Sequence, residues 1–380
     1  MKQIIEGNLV LPTQVAYGQV VVEGELITKI ITKKEDFLTP DITISSDKFL
    51  SPGFIDIQIN GAFGKEFKTD ADAIEVISNK IYKFGITSFC PTVTTSELSN
   101  YKTHLSKLVE NYTGEQCTKL IGLHLEGPAL NPQKVGAQNA SLLKTPKELD
   151  LDLYLSPHVK MVTFAPELDG ANELIAELQK RKIKIGFGHS TISYENVMEI
   201  FDEKNMLIVH LFNAMDGLSS REPGLVGAGM ANDNYYISII PDGIHVHPQT
   251  LNVVWKSKAN KQKIICVSDG AAVSGLDVGT YQIGQRRITK FEDKAVLENT
   301  NTLVGSILTV DKAVKNLLTF CNASLSEAVN TVSLNPATYL GLENEIGQIK
   351  EGNKADLVIL NSEMNVEKTF INGEVIYERQ

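Results

Sequence analysis

The chain has 380 residues, enough for one large domain of the size an α/β barrel absorbs plus a small one. Apolar types make up 42% of residues and charged types 22%, which fits a soluble globular core and excludes disordered, collagen-like and coiled-coil chains. Lys and Arg total 36 against 46 Asp and Glu, a net charge of −10 without a basic block to track a phosphate backbone, so nucleic acid is not expected as a partner.

The start carries one Lys and then Glu6 in a short apolar stretch, lacking the length and flanks of a signal peptide, and no later run reaches about 18 apolar residues. A cytoplasmic protein without a membrane partner is the expectation. From Met1 to Leu50, short apolar segments alternate with Gly and acidic turns, the pattern of antiparallel strands. Residues 346–380 look alike, with Asn372-Gly373 as a hairpin turn between two of their strands. The termini are therefore expected to form one small β-sandwich domain from residues 1–50 and 346–380.

Between them, residues 51–345 show apolar runs of five to seven residues, each followed by a stretch of helical period, as in parallel βαβ units. Eight such runs stand at 54–59, 86–90, 120–125, 159–164, 183–187, 206–211, 236–240 and 264–267. Asp70 is placed to cap a helix with Ile74, Ile77, Ile81 and Phe84 on one face, and Ser96 to cap another with Leu98, Leu105 and Leu108. Eight strand-helix units predict an α/β fold, a (β/α)8 TIM-like barrel. The four cysteines, Cys90, Cys117, Cys266 and Cys321, are far apart and form no CxxC, so buried thiols are expected.

In such a barrel the loops after the strands converge on one mouth, and the residues there are unusual. Strand one ends in Asp56, Gln58 and Asn60, strand three in His124 and Glu126, strand five in His189, strand six in His210, strand seven in Asp242 and His245, and strand eight in Asp269. A divalent ion held by imidazole and carboxylate needs about three protein ligands, and Glu126, His189 and His210 can supply them. Their separations, 63 residues (189 − 126) and 21 residues (210 − 189), match no local motif, so the barrel itself must bring them together. Each histidine alone reads more readily as a hydrogen-bonded core or loop residue; it is their joint placement at strand ends with a carboxylate that points to a metal. Asp269 follows a wholly apolar strand, where a carboxylate is costly unless it faces a polar cavity, which makes it the candidate general base; capping the next helix is the alternative. His245-Val246-His247 has metal-site spacing but lies in an Asp-Gly turn before Pro248, so substrate contact by His245 with His247 solvated is the preferred reading.

Several segments carry a resemblance: Pro52-Gly53-Phe54-Ile55-Asp56-Ile57-Gln58-Ile59-Asn60-Gly61, His124-Leu125-Glu126-Gly127-Pro128, Gly188-His189-Ser190, His210-Leu211-Phe212-Asn213-Ala214-Met215, Arg221-Glu222-Pro223-Gly224, Asp242-Gly243-Ile244-His245-Val246 and Ser333-Leu334-Asn335-Pro336-Ala337. With them the chain resembles, nearly end to end, the N-acetylglucosamine-6-phosphate deacetylases of the amidohydrolase superfamily. The resemblance implies a homodimer that hydrolyses an N-acetyl group to an amino-sugar phosphate and acetate. Gln58 and Asn60 stand where other amidohydrolases have an HxH pair, as in relatives with a single metal. The expectation is one divalent ion per subunit on Glu126, His189 and His210, zinc first, with Fe2+ or another divalent ion able to use the same ligands. Asp269 would then take the proton of the attacking water and pass it to the leaving nitrogen. Arg221, reaching across from the partner subunit, and His245 match positions that grip the sugar phosphate, and Asn213 and Ala214 match further phosphate contacts.

The chain departs from the family in Lys134-Val135-Gly136-Ala137-Gln138, where a His is common at the last position. Gln138 can still donate to the carbonyl oxygen through its amide. This departure makes N-acetylgalactosamine 6-phosphate an alternative substrate. Two other readings are a cyclic-amide hydrolase, which leaves Arg221 unexplained, and a catalytically inactive barrel acting as a binding protein.

Overall fold

Strands buried on both faces read as unbroken apolar runs, and the eight runs of the central segment all become parallel barrel strands. The computed structural model describes residues 2–200 and 206–380. Barrel strands one to eight are Phe54–Ile59, Ile86–Thr94, Leu123–Glu126, Val159–Phe164, Lys184–Phe187, Met206–Ile208, Tyr236–Ile239 and Ile264–Cys266. Each pairs in parallel with the next. The ring closes just beyond strand eight: the Asp269 N–H donates to the Gln58 carbonyl at 2.8 Å, and the Asn60 N–H to the Gly270 carbonyl at 2.9 Å.

Three local expectations need correction. The run at 120–125 is two strands, Lys119–Leu120 and Leu123–Glu126. Gly122 separates them at φ +153°, and a Cβ there would stand 2.8 Å from the Lys160 Cβ. Asp70 does not cap the first helix, which spans Ala73–Ile81; its carboxylate instead accepts the Glu66 N–H at 2.8 Å and closes the preceding loop. Ser96 likewise stands outside Leu98–Glu110, its N–H donating to the Tyr101 hydroxyl at 3.3 Å. The apolar faces are as expected, with Ile74, Ile77, Ile81, Leu105 and Leu108 buried.

The two ends of the chain share a sheet. Its order is Glu374–Glu378, Val366–Ile371, Leu357–Leu360, Phe49–Pro52, Lys2–Val10, Val15–Glu23 and Leu26–Ile31. Phe49–Pro52 is the joint, antiparallel to Leu357–Leu360 and parallel to Lys2–Val10. Asn372 and Gly373 turn the last hairpin with φ +52° and +80°, the paired positive values such a two-residue turn requires. Ile5, Leu9, Val20, Leu50, Leu357 and Phe370 form the sheet's own apolar cluster. The four cysteines are buried and unbonded, and burial pushes the Cys90 and Cys266 thiols up to about 12. Among the described residues no helix is long and apolar enough to cross a membrane.

Asp56, in the middle of strand one, is fully buried, and its Oδ1 accepts the backbone N–H groups of Gln58 at 3.2 Å and Ser268 at 3.3 Å. Burial lifts its carboxyl to about 7, with the hydrogen bonds from Ser268 and Gln58 opposing the rise. The folded state therefore holds this proton more tightly than the unfolded chain, whose Asp titrates near 3.8. Stability is full below that value and is lost as pH rises toward 7, with no further loss above. Asp56→Asn keeps an acceptor and cannot ionise. Relative to the natural chain it should gain about 2–3 kcal/mol between pH 5 and pH 8 in denaturant titrations; a constant difference across that range would contradict the shift.

Candidate active site

Glu126 ends strand three, and His189, His210 and Asp269 each lie two or three residues beyond strands five, six and eight, so all four side chains meet at one rim. The backbone there is bent out of strand geometry. His189, His210 and Asp269 have φ of +50°, +34° and +48°, and Phe212 and Ala214 have +75° and +48°. Such values are costly for residues with a Cβ, and their clustering at one rim marks a site whose side-chain aim outweighs local backbone preference. The packing leaves no slack: a Cβ on Gly305 would stand 2.6 Å from the Asp269 carbonyl.

Glu126 Oε1 lies 3.0 Å from His210 Nε2 and 3.4 Å from His189 Nε2, and one ligand atom from each of the three falls within 4.8 Å of the others. Ligands at roughly 2.0–2.2 Å from a tetrahedral centre stand about 3.3–3.6 Å apart, so this donor set fits a single divalent ion. The second nitrogen of His189 supports that fit. His189 Nδ1 donates to the Lys134 carbonyl at 2.7 Å, which leaves Nε2 with its lone pair facing Glu126. His210 Nδ1 has no hydrogen-bond partner among the described residues; this ring is positioned by Glu126, by an edge-to-face contact with His189 and by its backbone, whose N–H donates to the Ser238 hydroxyl at 2.7 Å.

Asp269 faces the same cavity, of about 210 Å³. Burial and the neighbouring charge of Glu126 both push its carboxyl above the usual aspartate value. Neutral amides hold the two carboxylates apart. Gln58 Nε2 donates to Glu126 Oε1 at 3.0 Å and to Asp269 Oδ1 at 3.3 Å, and Asn60 Nδ2 donates to Asp269 Oδ1 at 2.8 Å. Gln138 Nε2 donates to Glu126 Oε2 at 3.2 Å, while its Oε1 accepts the Thr95 N–H at 2.9 Å, fixing which way the amide faces.

His245, Asn213 and Ala214 line the same cavity. His245 Nδ1 is 2.6 Å from Asp242 Oδ2, which orients the ring. The Asn213 amide donates to the carbonyls of His210 and Leu211 at 3.1 and 3.3 Å, so it shapes the turn that presents Ala214 rather than pointing its own donors into the cavity. Arg221 is exposed and does not line the cavity. His124 is a core residue bonded to Thr163 Oγ1 at 2.7 Å, and burial pulls its ring down to about 4. His247 caps the helix Pro248–Ser257.

Two features escaped the sequence reading. Glu167, three residues past strand four, accepts from Ser190 Oγ at 2.6 Å, from the Thr191 N–H at 2.7 Å and from Asn131 Nδ2 at 2.7 Å, while the Asn131 N–H donates to the His189 carbonyl at 3.0 Å. It therefore ties down both sides of the loop carrying His189. The segment Ala165-Pro166-Glu167 straight after an apolar strand was the available signal. The second is a three-stranded antiparallel sheet, Gly279–Ile283, Arg286–Lys290 and Ala295–Leu297, which follows strand eight and brings Arg286 onto Glu66.

The chain is similar to known proteins along nearly its whole length. The profile described as Amidohydrolase family matches residues 49–376. N-acetylglucosamine-6-phosphate deacetylase of Bos taurus is 33% identical over 343 residues, 87% of this chain and 83% of that protein. N-acetylgalactosamine-6-phosphate deacetylase of Escherichia coli O157:H7 is 30% identical over 88% of this chain and 89% of its own. The crystal structure of N-acetylglucosamine-6-phosphate deacetylase from Thermotoga maritima superposes with a TM-score of 0.87 at 32% identity, covering 99% of this chain and 100% of that one. By extent of match and by identity, this chain belongs to the amidohydrolase family.

Proposed function

We propose that the protein hydrolyses the N-acetyl group of N-acetylglucosamine 6-phosphate, giving glucosamine 6-phosphate and acetate in amino-sugar breakdown. The observation that carries this reading is the convergence of Glu126, His189 and His210 on one point, with Asp269 across the same cavity. The similarity to deacetylases of this substrate supplies its class. In this reading residues 51–345 are the catalytic barrel, and residues 1–50 and 346–380 a supporting β domain.

Glu126, His189 and His210 would hold one divalent ion, zinc by their mixed nitrogen and oxygen character, with Fe2+ or another divalent ion able to use the same donors. Bound there, the ion would polarise the amide carbonyl and lower the pKa of water from about 15.7 toward about 7. Asp269 accepts the proton of the attacking water and returns it to the amide nitrogen as the C–N bond breaks, because an amine leaves poorly unless protonated. Its contacts with Gln58 and Asn60 keep one oxygen occupied and the other free for this transfer. Gln138 has a second amide N–H beyond the one on Glu126, able to donate to the carbonyl oxygen as negative charge develops. His245 and the backbone at Ala214 face the end of the cavity where the phosphate would lie, and Arg221 would join them from the partner subunit of a homodimer.

The relative from Escherichia coli favours N-acetylgalactosamine 6-phosphate as the second substrate to try. Acetate release from both 6-phosphates, with the unphosphorylated sugars as controls, tests the reading. Turnover should require the phosphate, disappear with a chelator and return with added metal, whereas no turnover of either phosphate by metal-loaded protein would refute it.

Asp269→Asn should retain about one ion per chain by elemental analysis while kcat falls roughly 10²–10⁴-fold. Near-normal turnover would remove Asp269 from the proton transfer. Glu167→Ala should weaken metal binding by roughly 10–100-fold in chelator competition, with Glu167→Gln closer to the natural chain because it keeps acceptor capacity. Unchanged metal affinity in the alanine variant would show that the His189 loop holds its position without Glu167.

A further inference from the structure

A second cleft, of about 840 Å³, adjoins the first. The wall common to both is built from Glu66, Lys68, Ala137, Gln138 and Arg286, whereas Asn213, Ala214 and His245 line the first cavity only. The second cleft therefore opens away from the phosphate end. It begins at Gln138, whose amide rests on Glu126. In the deacylation reading that is where the acyl carbon sits under attack, so this wall faces the acyl group and not the sugar's phosphate. The space beyond it is far more than a methyl group fills.

The charge on this wall is specific. Arg286, from the antiparallel sheet that follows strand eight, is ion-paired with Glu66, so those two neutralise each other. Lys68 is half-buried and has no hydrogen-bond or ion-pair partner among the described residues. Burial draws its ammonium below the ordinary lysine range, with Glu66 opposing the change and Arg286 adding to it. Farther into the cleft Glu97 and Lys107 carry opposite charges, and His104 is tied through Nε2 to the Phe67 carbonyl at 2.7 Å. With Glu66 paired directly to Arg286, the wall at the junction carries one excess positive charge, and the half-buried Lys68, which has no ion-pair partner among the described residues, gains from a carboxylate brought beside it.

We propose that the second cleft is an acyl subsite, and that the protein cleaves amino-sugar 6-phosphates whose N-acyl group is longer than acetyl and ends in a carboxylate received by Lys68. This inference rests on the deacylation reading and specifies its substrate class. The step is the same hydrolysis: the oxygen of water bonds to the acyl carbon, the C–N bond breaks, and a proton of that water reaches the nitrogen by way of Asp269. The products are a dicarboxylate and the amino-sugar phosphate.

Three substrates separate the possibilities: the N-acetyl, N-butyryl and N-succinyl derivatives of glucosamine 6-phosphate, the last two having acyl chains of equal length and different charge. With metal-loaded natural protein, kcat/KM for N-succinyl should exceed that for N-butyryl at least tenfold. Lys68→Met, which keeps an unbranched stem, should reduce that ratio at least tenfold, and Lys68→Arg should preserve it. A ratio near one, a ratio unmoved by Lys68→Met, or cleavage of the N-acetyl compound alone would overturn the acyl subsite. Failure on all three substrates would instead overturn the deacylation reading beneath it.

Discussion

Two carboxylates facing one small cavity, Glu126 buried and Asp269 partly so, repel each other, and the chemistry of this rim is arranged around that repulsion. Glu126 is buried and Asp269 partly buried at the cavity wall, so solvent screens them less than it would surface carboxylates. Neutral amides supply donors to both: Gln58 bridges them, Asn60 takes Asp269 and Gln138 takes Glu126, while the Nε2 atoms of His189 and His210 stand against Glu126 Oε1. Amides are well suited because they donate without adding charge that would compete with a metal ion at the same carboxylate. The outcome is asymmetric. Glu126 is held well below the usual carboxylate range: burial would raise it, but the hydrogen bonds and charges of His189 and His210 prevail. Asp269 is pushed the other way, toward holding a proton. Two carboxyl groups driven apart in this manner can take separate roles, one as ligand and one as proton carrier.

The closure of the barrel makes this arrangement possible. Gln58 and Asn60 can reach Asp269 only because the segment beyond strand eight pairs with the end of strand one, through the Asp269 N–H to Gln58 and the Asn60 N–H to Gly270. The same bonds that complete the cylinder thus set the separation of the amides from the carboxylate. Left-handed backbone at His189, His210 and Asp269 then turns each side chain inward within two or three residues of its strand, where a longer loop would leave it less constrained.

The sequence made the barrel legible because parallel strands covered on both sides need apolar residues at every position, which yields runs that stand out from the helical period around them. Glu126, His189, His210 and Asp269 were legible for the complementary reason: ionisable residues directly after such runs have no place to go but the mouth. Glu167 was harder to read because its work is indirect, holding a loop and not lining the catalytic cavity. The antiparallel sheet from Gly279 to Leu297 was missed because its strands are short, only partly buried and carry Thr, Arg and Lys, so no sustained apolar run announces them. Lys68 and Arg286 belong to segments 218 residues apart (286 − 68), and only the folded chain reveals that they share a wall. Gly122 interrupts strand three because of a close approach by Lys160, a tertiary fact with no local signature.

The terminal sheet works on the structure from the opposite direction. Lys119, at the start of the short strand that precedes strand three, is ion-paired with the buried Asp356 and donates to Asn372 Oδ1 at 3.1 Å, while Asp356 Oδ1 accepts the Asn372 N–H at 2.9 Å. These contacts grip the entering end of strand three, the end remote from Glu126, and Asn372 is the turn residue of the last hairpin. Asp356 is buried and Lys119 only partly exposed, and losing one partner of such a pair costs more than breaking an exposed one, so this anchor stabilises the strand without adding charge to the catalytic rim. The loops after the strands are left free to vary. Residues lining the cavity, Gln138 and Lys68 among them, can therefore differ without disturbing the fold, because the contacts that secure the barrel and the side chains that line its mouth lie at opposite ends of the same strands.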